Sequence, residues 1–108
     1  TSLSLVGNAA QKVLNGYHVD KAIFSCKGID MKDGITDSNE LDSDIKTAMY
    51  ACADTAILAV DSSKFDRVSF VKSMRLKEGD ILVTDQKPSE DWQIYLQDHG
   101  VRLVTPKE

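Results

Sequence analysis

Covalent cross-links and membrane spans have little support in this sequence of 108 residues. It contains two cysteines and two prolines, and no apolar run approaches the ~20 residues that a membrane-spanning helix needs. Cys26 and Cys52 are too far apart for a CxxC motif, and each falls in an apolar segment, where a thiol behaves as a small hydrophobe. A disulfide between them is possible, but the pattern favours reduced thiols and a cytoplasmic protein.

Basic residues and familiar catalytic motifs are also scarce. The chain has 13 Lys and Arg against 17 Asp and Glu, a formal net charge of −4. Because affinity for nucleic acids rests largely on Lys and Arg, this balance argues against DNA or RNA binding by this chain alone. The glycine-rich loops of nucleotide-binding proteins and the Gly-x-Ser-x-Gly elbow of hydrolases are absent. We expect no nucleotide cofactor and no serine nucleophile.

Apolar runs alternate with segments of helical periodicity along the chain. Hydrophobic residues make up 42% of the sequence, which is ordinary for one globular domain. The alternation predicts an α/β fold with a mostly parallel sheet flanked by helices. Strands are predicted at residues 2–6, 22–24, 56–60, 81–83 and 101–104, with residues 66–75 undecided between strand and loop. Helices are predicted at residues 8–16, from Asp42 or Ser43 onward, and at residues 88–100.

The central apolar run, residues 56–60, is followed directly by Asp61, Ser62, Ser63 and Lys64. The run has no polar alternation, so it predicts a strand buried on both faces. In open α/β sheets, ligands bind at the carboxyl ends of the strands, and this polar tetrad would suit an anionic polyol such as a sugar phosphate. On the local pattern alone, a capped turn with a surface lysine is the better interpretation.

Two further acids, Asp30 and Asp85, also follow predicted strands. If these strands are parallel, Asp30, Asp61 and Asp85 line one edge of the sheet. Three acids would suit Mg²⁺, but Lys64 already compensates Asp61, so we expect direct ligand binding and no metal. The two histidines, His18 and His99, have no evident catalytic partner and are expected to have structural or surface roles.

A polar segment, residues 27–37, separates the second predicted strand from the next helix. It holds Gly28 and Gly34, and loops of this length are commonly functional or mobile. In the following helix, Lys46 lies near the start, where its charge opposes the helix dipole. It is expected to be solvated or to have an anionic partner. The predicted apolar stripe of this helix is Ile45, Ala48, Met49 and Cys52.

Several motifs together carry a family resemblance. They are Gly28-Ile29-Asp30, Gly34-Ile35-Thr36-Asp37, Lys46-Thr47-Ala48-Met49, Asp61-Ser62-Ser63-Lys64-Phe65 and Ile81-Leu82-Val83-Thr84-Asp85. In this order and spacing, over roughly residues 3 to 105, the chain resembles the C-terminal effector-sensing domain of DeoR-family bacterial transcriptional regulators. The resemblance implies the Rossmann-like fold of ribose-5-phosphate isomerase and glucosamine-6-phosphate deaminase.

The resemblance also implies an effector site for a phosphorylated sugar. Asp30 would face the sugar hydroxyls, and Thr36 and Asp37 would lie in a flexible loop over the site. Asp61, Ser63 and Lys64 would form its rim, with Lys64 contacting the anionic group. Cys26 and Lys27, just before the Gly-Ile-Asp motif, depart from the family pattern, and Lys27 either changes effector choice or simply points to solvent.

The whole chain, residues 1–108, is expected to be the C-terminal portion of such a sensor domain. It would lack the first sensor strand and the N-terminal helix-turn-helix through which the regulator, expected to be a repressor in a homo-oligomer, contacts DNA. One alternative is a sugar-phosphate isomerase or deaminase with Asp30 or Asp61 as general base and Lys64 as electrostatic stabiliser. The other is an oligomerisation domain without a ligand.

Overall fold

The computed structural model describes residues 16–106. The strand predicted at residues 2–6 and the helix predicted from Asn8 lie outside this range. Within it, neither α-helix is long and apolar enough to cross a membrane. The elements in chain order are β1 (Val19–Phe24), β2 (Gly28–Asp30), β3 (Gly34–Asp37), α1 (Glu40–Cys52), β4 (Ala53–Val60), a 3₁₀ turn (Ser62–Lys64), β5 (Val71–Met74), β6 (Ile81–Thr84), α2 (Glu90–Asp98) and β7 (Arg102–Val104).

Four strands form a parallel sheet in the order β1-β4-β6-β7. This confirms the predicted α/β class. The central strand β4 is not buried on both faces, however. Leu58 and its same-face neighbours are buried in a core shared with Trp92 and Leu96, whereas Ala59 on the opposite face is exposed. The sequence did not show this alternation, because the exposed position is occupied by Ala59, an apolar residue whose small side chain exposes little surface.

The segment at residues 27–37, expected to be a long loop, forms a hairpin instead. Strands β2 and β3 pair antiparallel, and β5 completes a three-stranded sheet in the order β2-β3-β5. The Asp30 carboxylate accepts hydrogen bonds from the backbone N–H groups of Lys32 and Asp33, both at 3.0 Å, which closes the turn. Gly34 then adopts φ +76°, a conformation that favours glycine.

Helix α1 begins earlier than predicted. The Asn39 side chain accepts a hydrogen bond from the Asp42 N–H at 2.9 Å and caps the helix, so the helix starts at Glu40. Of the predicted apolar stripe, Ala48 alone is buried, and Ser43 is the other buried position of the helix. Ile45, Met49 and Cys52 are half-buried, because the face that α1 turns toward the small sheet carries polar side chains.

Helix α2 matches its prediction more closely. Ser89 caps it, Trp92 and Leu96 are its buried residues, and Gly100 follows its end with φ +70°. Tyr95 and His99, the remaining members of its predicted face, stack on one another with ring centroids 4.1 Å apart. This helix closes the core over the parallel sheet.

Candidate functional site

Polar groups meet at the carboxyl ends of β4 and β6. The Asp61 carboxylate caps the 3₁₀ turn by accepting hydrogen bonds from the backbone N–H of Ser63, at 2.9 Å, and from its hydroxyl. The Asp85 carboxylate accepts a hydrogen bond from the Ser62 N–H at 2.7 Å. The tetrad after β4 is therefore a capped turn that is also attached to the neighbouring strand.

This turn presents one carboxylate and one ammonium at the strand ends. The hydrogen bonds from Ser63 hold the pKa of Asp61 below its usual range, with a smaller contribution from the Lys64 charge, so Asp61 is ionised at neutral pH. Lys64 is half-buried at the end of the turn. Among the described residues, its ammonium forms neither a hydrogen bond nor an ion pair.

A second group of predicted site residues lies in the small sheet. Asp37 is buried, and its carboxylate accepts hydrogen bonds from the Lys46 ammonium at 2.5 Å and from the Ser73 hydroxyl at 2.6 Å. The Ser73 hydroxyl also lies 2.8 Å from that of Ser43. These contacts join β3, β5 and α1. Lys46, whose position opposes the helix dipole, thus has the anionic partner that would explain its placement.

Thr36 has a bridging role beside this network. Its hydroxyl donates to the Gly28 carbonyl at 3.3 Å and accepts from the Ser69 N–H at 2.8 Å. Thr36 and Asp37 are both buried in β3. The expectation that they lie in a flexible loop over the site was therefore wrong, because β3 pairs with β5 and the side chains of Thr36 and Asp37 are hydrogen-bonded within the fold.

The expected row of three acids is only partly present. Asp61 and Asp85 share the edge of the parallel sheet, but Asp30 ends β2 in the other sheet. Asp30 instead borders a small cavity whose other polar walls are Arg75, Tyr95 and His99. The reason is that the chain leaves the parallel sheet after Phe24, so Asp30 does not follow a strand of that sheet.

The two sheets meet around residues 65 and 66. Ile29 of β2 forms an isolated parallel bridge with Phe65, and its carbonyl accepts from the Asp66 N–H at 2.8 Å. The Asp66 carboxylate accepts from the Trp92 indole N–H at 2.9 Å. The segment after Lys64 is thereby attached to β2 on one side and to the core helix α2 on the other.

Cys26 lies in the short connection between β1 and β2, where the chain passes from one sheet to the other. It is buried, and both cysteines are free. Burial, and then the charge of Asp37, raise the pKa of Cys26 to about 11, while Lys46 and Lys64 act in the opposite direction. Cys26 is thus an unreactive thiol at neutral pH.

Sequence reasoning missed Asp80. Its buried carboxylate accepts hydrogen bonds from the Tyr50 hydroxyl at 2.6 Å, the Lys77 N–H at 2.9 Å and the Ala56 N–H at 3.1 Å. Burial, with the hydrogen bond to Asp80, raises the pKa of Tyr50. Asp80 connects α1, β4 and the start of β6. No local motif marks it, since Tyr50 and Ala56 are 30 and 24 positions away in the sequence.

Comparison with known proteins gives the family. Residues 1–86 match the model of the DeoR C-terminal sensor domain. Among curated proteins, the chain is 31% identical over 98 residues to the L-fucose operon activator of Haemophilus influenzae, covering 91% of this chain and 39% of that protein.

Two further relatives are repressors by name. The HTH-type transcriptional repressor GlcR of Bacillus subtilis is 35% identical over 104 residues, covering 96% of this chain and 40% of that protein. The deoxyribose operon repressor of Escherichia coli is 31% identical over 94 residues, covering 87% of this chain and 37% of that protein. The chain thus spans about two-fifths of the length of these relatives. All three are named as transcriptional regulators, which favours a regulatory domain over the isomerase and deaminase interpretation. The chain belongs to the DeoR family of transcriptional regulators, of which it carries the C-terminal sensor domain.

Proposed function

We propose that this sensor domain binds a phosphorylated sugar at the carboxyl ends of β4 and β6. The observation that carries the proposal is the half-buried Lys64 ammonium, which lacks a hydrogen-bond or ion-pair partner among the described residues while its neighbours Asp61 and Ser63 are mutually bonded. Lys64 would contact the phosphate, and Asp61 and Ser63 would contact the sugar. Charge-assisted hydrogen bonds of this kind are about twice as strong as neutral ones.

The second group, Asp30, Thr36 and Asp37, would contribute from the small sheet. Asp30 closes the hairpin turn and borders a separate cavity, so in this proposal it would act by fixing the hairpin and not by contact with the sugar. Asp37 is occupied by Lys46 and Ser73, and Thr36 by backbone groups. Their role in the proposal is to position the hairpin and the Lys46 ammonium beside the effector. Lys64 is then the cation that contacts the phosphate, while Lys46 is held by Asp37.

Effector binding would alter DNA binding by the complete regulator. The relatives named for the fucose and deoxyribose operons support a sugar-derived effector, and the relatives named as repressors support a repressor. We place the protein in the cytoplasm, as a homo-oligomer in which residues 1–108 are the C-terminal portion of the sensor domain. DNA contact would come from a helix-turn-helix segment preceding these residues.

The energy needed for such a switch is within reach of a few contacts. Moving a two-state equilibrium from nearly all one state to nearly all the other takes about 5.5 kcal/mol of differential affinity. Hydrogen bonds to charged groups contribute about 1.5–3 kcal/mol each. Two or three bonds from the effector that form in only one state would therefore suffice.

A thermal-shift screen of the intact regulator tests the proposal. The ligands are matched pairs: ribose 5-phosphate with ribose, and glucosamine 6-phosphate with glucosamine, followed by further sugar phosphates. We expect one phosphorylated sugar, and not its unphosphorylated partner, to raise the melting temperature and to change operator binding in a mobility-shift assay. If no sugar phosphate stabilises the protein, the proposed effector class is wrong.

Substitution of Lys64 locates the site. Lys64→Ala should weaken binding of the effector about tenfold or more, because one charge-assisted hydrogen bond is lost. Lys21→Ala, which removes an exposed lysine in β1, is the matched control and should leave the affinity unchanged. An effector that binds equally well to Lys64→Ala would place the site elsewhere in the domain.

A further inference from the structure

Three side chains with metal-binding atoms converge at the opposite end of the parallel sheet. His18 directly precedes β1, Asp20 lies in β1 and Asp54 lies in β4. Val19 pairs with Ala53 in the parallel register. Since side chains alternate between the faces of a strand, the residues flanking Val19 lie on the same face as Asp54. The convergence is therefore a consequence of strand pairing and not of a chance surface encounter.

The distances suit one shared ion. His18 Nε2 lies 3.1 Å from Asp54 Oδ2 and 4.0 Å from Asp20 Oδ1, and the three ligand atoms all lie within 4.8 Å of one another. In a tetrahedral site with bonds of about 2.0 Å, ligand atoms are about 3.3 Å apart. Small side-chain rotations at exposed positions are enough to reach that geometry.

We propose that His18, Asp20 and Asp54 form a binding site for a divalent transition-metal ion such as Zn²⁺. One imidazole nitrogen and two carboxylate oxygens form a borderline donor set, which suits Zn²⁺, Mn²⁺ or Ni²⁺ better than Mg²⁺ or Ca²⁺. His18 and Asp54 border an open pocket of about 190 Å³ that also touches Tyr17 and Cys52. Water or another ligand can complete the coordination from this pocket.

The electrostatic surroundings also favour a cation. Within residues 16–106, neither Asp20 nor Asp54 forms an ion pair with a lysine or arginine, so two negative charges face one histidine. The pocket is bordered by the carboxyl end of α1, at Cys52, and helix carboxyl ends carry partial negative charge. A metal there would tie the beginning of β1 to the beginning of β4, remote from the proposed effector edge.

Titration of the untagged protein with Zn²⁺, followed by isothermal calorimetry and by melting temperature, tests this site. We expect one ion per chain and a rise in melting temperature. His18→Ala should weaken Zn²⁺ affinity about tenfold or more, since even indirect partners of metal ligands change affinity 10- to 100-fold. Asp54→Asn should also weaken it. All three side chains are exposed, so the variants should unfold like the parent when metal is absent.

The chain provides a matched control in its only other histidine. His99→Ala removes an exposed imidazole at the end of α2 and should leave Zn²⁺ binding unchanged. Absence of binding to the parent protein would overturn the proposal, as would equal binding by His18→Ala. Loss of binding in Cys52→Ser with His18→Ala unaffected would show that the thiol is the ligand and the assigned donor set is wrong.

Discussion

The two sheets of this domain are stabilised in different ways. The parallel sheet has an apolar core, in which Leu58 and Leu82 are fully buried on adjacent strands. The antiparallel sheet buries Thr36 and Asp37 within a strand of four residues, and it is attached to α1 through Lys46 and Ser73. Both sheets contribute to one apolar core, since Ile29 and Ile35 also belong to it, but the antiparallel sheet is in addition held to α1 by directional polar contacts.

This difference changes how each sheet should respond to substitution. Apolar burial is non-directional, so a core of suitable volume tolerates similar side chains. A buried ion pair behaves otherwise: removing one partner leaves the other charge desolvated, whereas replacing both partners by neutral groups can cost little. The proposed effector site lies where these two types of structure meet, which gives a ligand a rigid sheet on one side and a polar network on the other.

The largest loss of stability is expected from a substitution in the parallel sheet. Leu58→Ala leaves a cavity at the centre of β4 and should lower the free energy of unfolding by about 3–5 kcal/mol. Urea denaturation measures the change. Ile94→Ala, at a half-exposed position of α2, is the control and should cost far less. Equal losses for the two variants would mean that β4 is not the centre of the core.

The second-largest loss of stability is expected from a substitution at the antiparallel sheet. Lys46→Met leaves the Asp37 carboxylate buried without its cation and should lower the free energy of unfolding by about 2–4 kcal/mol, less than for a fully enclosed pair because Lys46 retains 20% exposure. Asp37→Asn combined with Lys46→Met should recover part of this loss. Hydrogen exchange should show that β3 amides lose protection before those of β4.

The double variant tests whether Asp37 and Lys46 stabilise the sheet as an interacting pair. Additive losses in the double variant would mean that the pair does not interact, and the contrast between the sheets would then fail. Uniform loss of protection across β3 and β4 would mean instead that the two sheets unfold as one unit.

The smallest effect concerns the turn of the hairpin. The Asp33 carboxylate lies 3.0 Å from the Lys72 ammonium on β5, and this hydrogen bond holds the pKa of Asp33 below its usual range. A lowered folded-state pKa stabilises the protein above the ordinary pKa of the carboxyl group, near 3.8, and that contribution is lost as the pH falls through the lowered value. Lys72→Ala should therefore be slightly less stable than the parent at pH 7.

Denaturation at neutral and acid pH measures this difference. The gap between Lys72→Ala and the parent should close as Asp33 becomes protonated, whereas Lys32→Ala, which removes a lysine from the same turn, should show a smaller gap at pH 7. A gap that persists in acid would show that Lys72 stabilises β5 by something other than its charge.

The sequence predicted the parallel sheet because its signals are local. Residues 56–60 and 81–83 are apolar runs, and α2 is bounded by Ser89 and Gly100. The hairpin was missed because β2 and β3 have three and four residues and are too short to display a period. Gly28 suggested a loop, yet its small size serves close packing: a Cβ there would lie 2.3 Å from the Arg67 carbonyl oxygen.

The candidate site, like the fold, was predictable only where local sequence signals define it. The placement of Asp61, Ser63 and Lys64 after a central parallel strand follows from the run that precedes them. The contacts of Asp37 with Ser73 and of Asp80 with Tyr50 do not, because they join residues 36 and 30 positions apart. Long-range polar pairing of this kind depends on the relative positions of whole elements, which local sequence patterns do not encode.

The junction between α1 and β4 has a consequence for sequence length. The helix ends at Cys52 and the strand begins at Ala53, with no residue between them. A residue inserted between Cys52 and Ala53 cannot be accommodated in a loop, because there is none. It must either distort the end of the helix or shift β4 by one position, which would turn Leu58 out of the core and Ala59 into it. Members of the family should therefore vary in length in their turns and keep this junction constant.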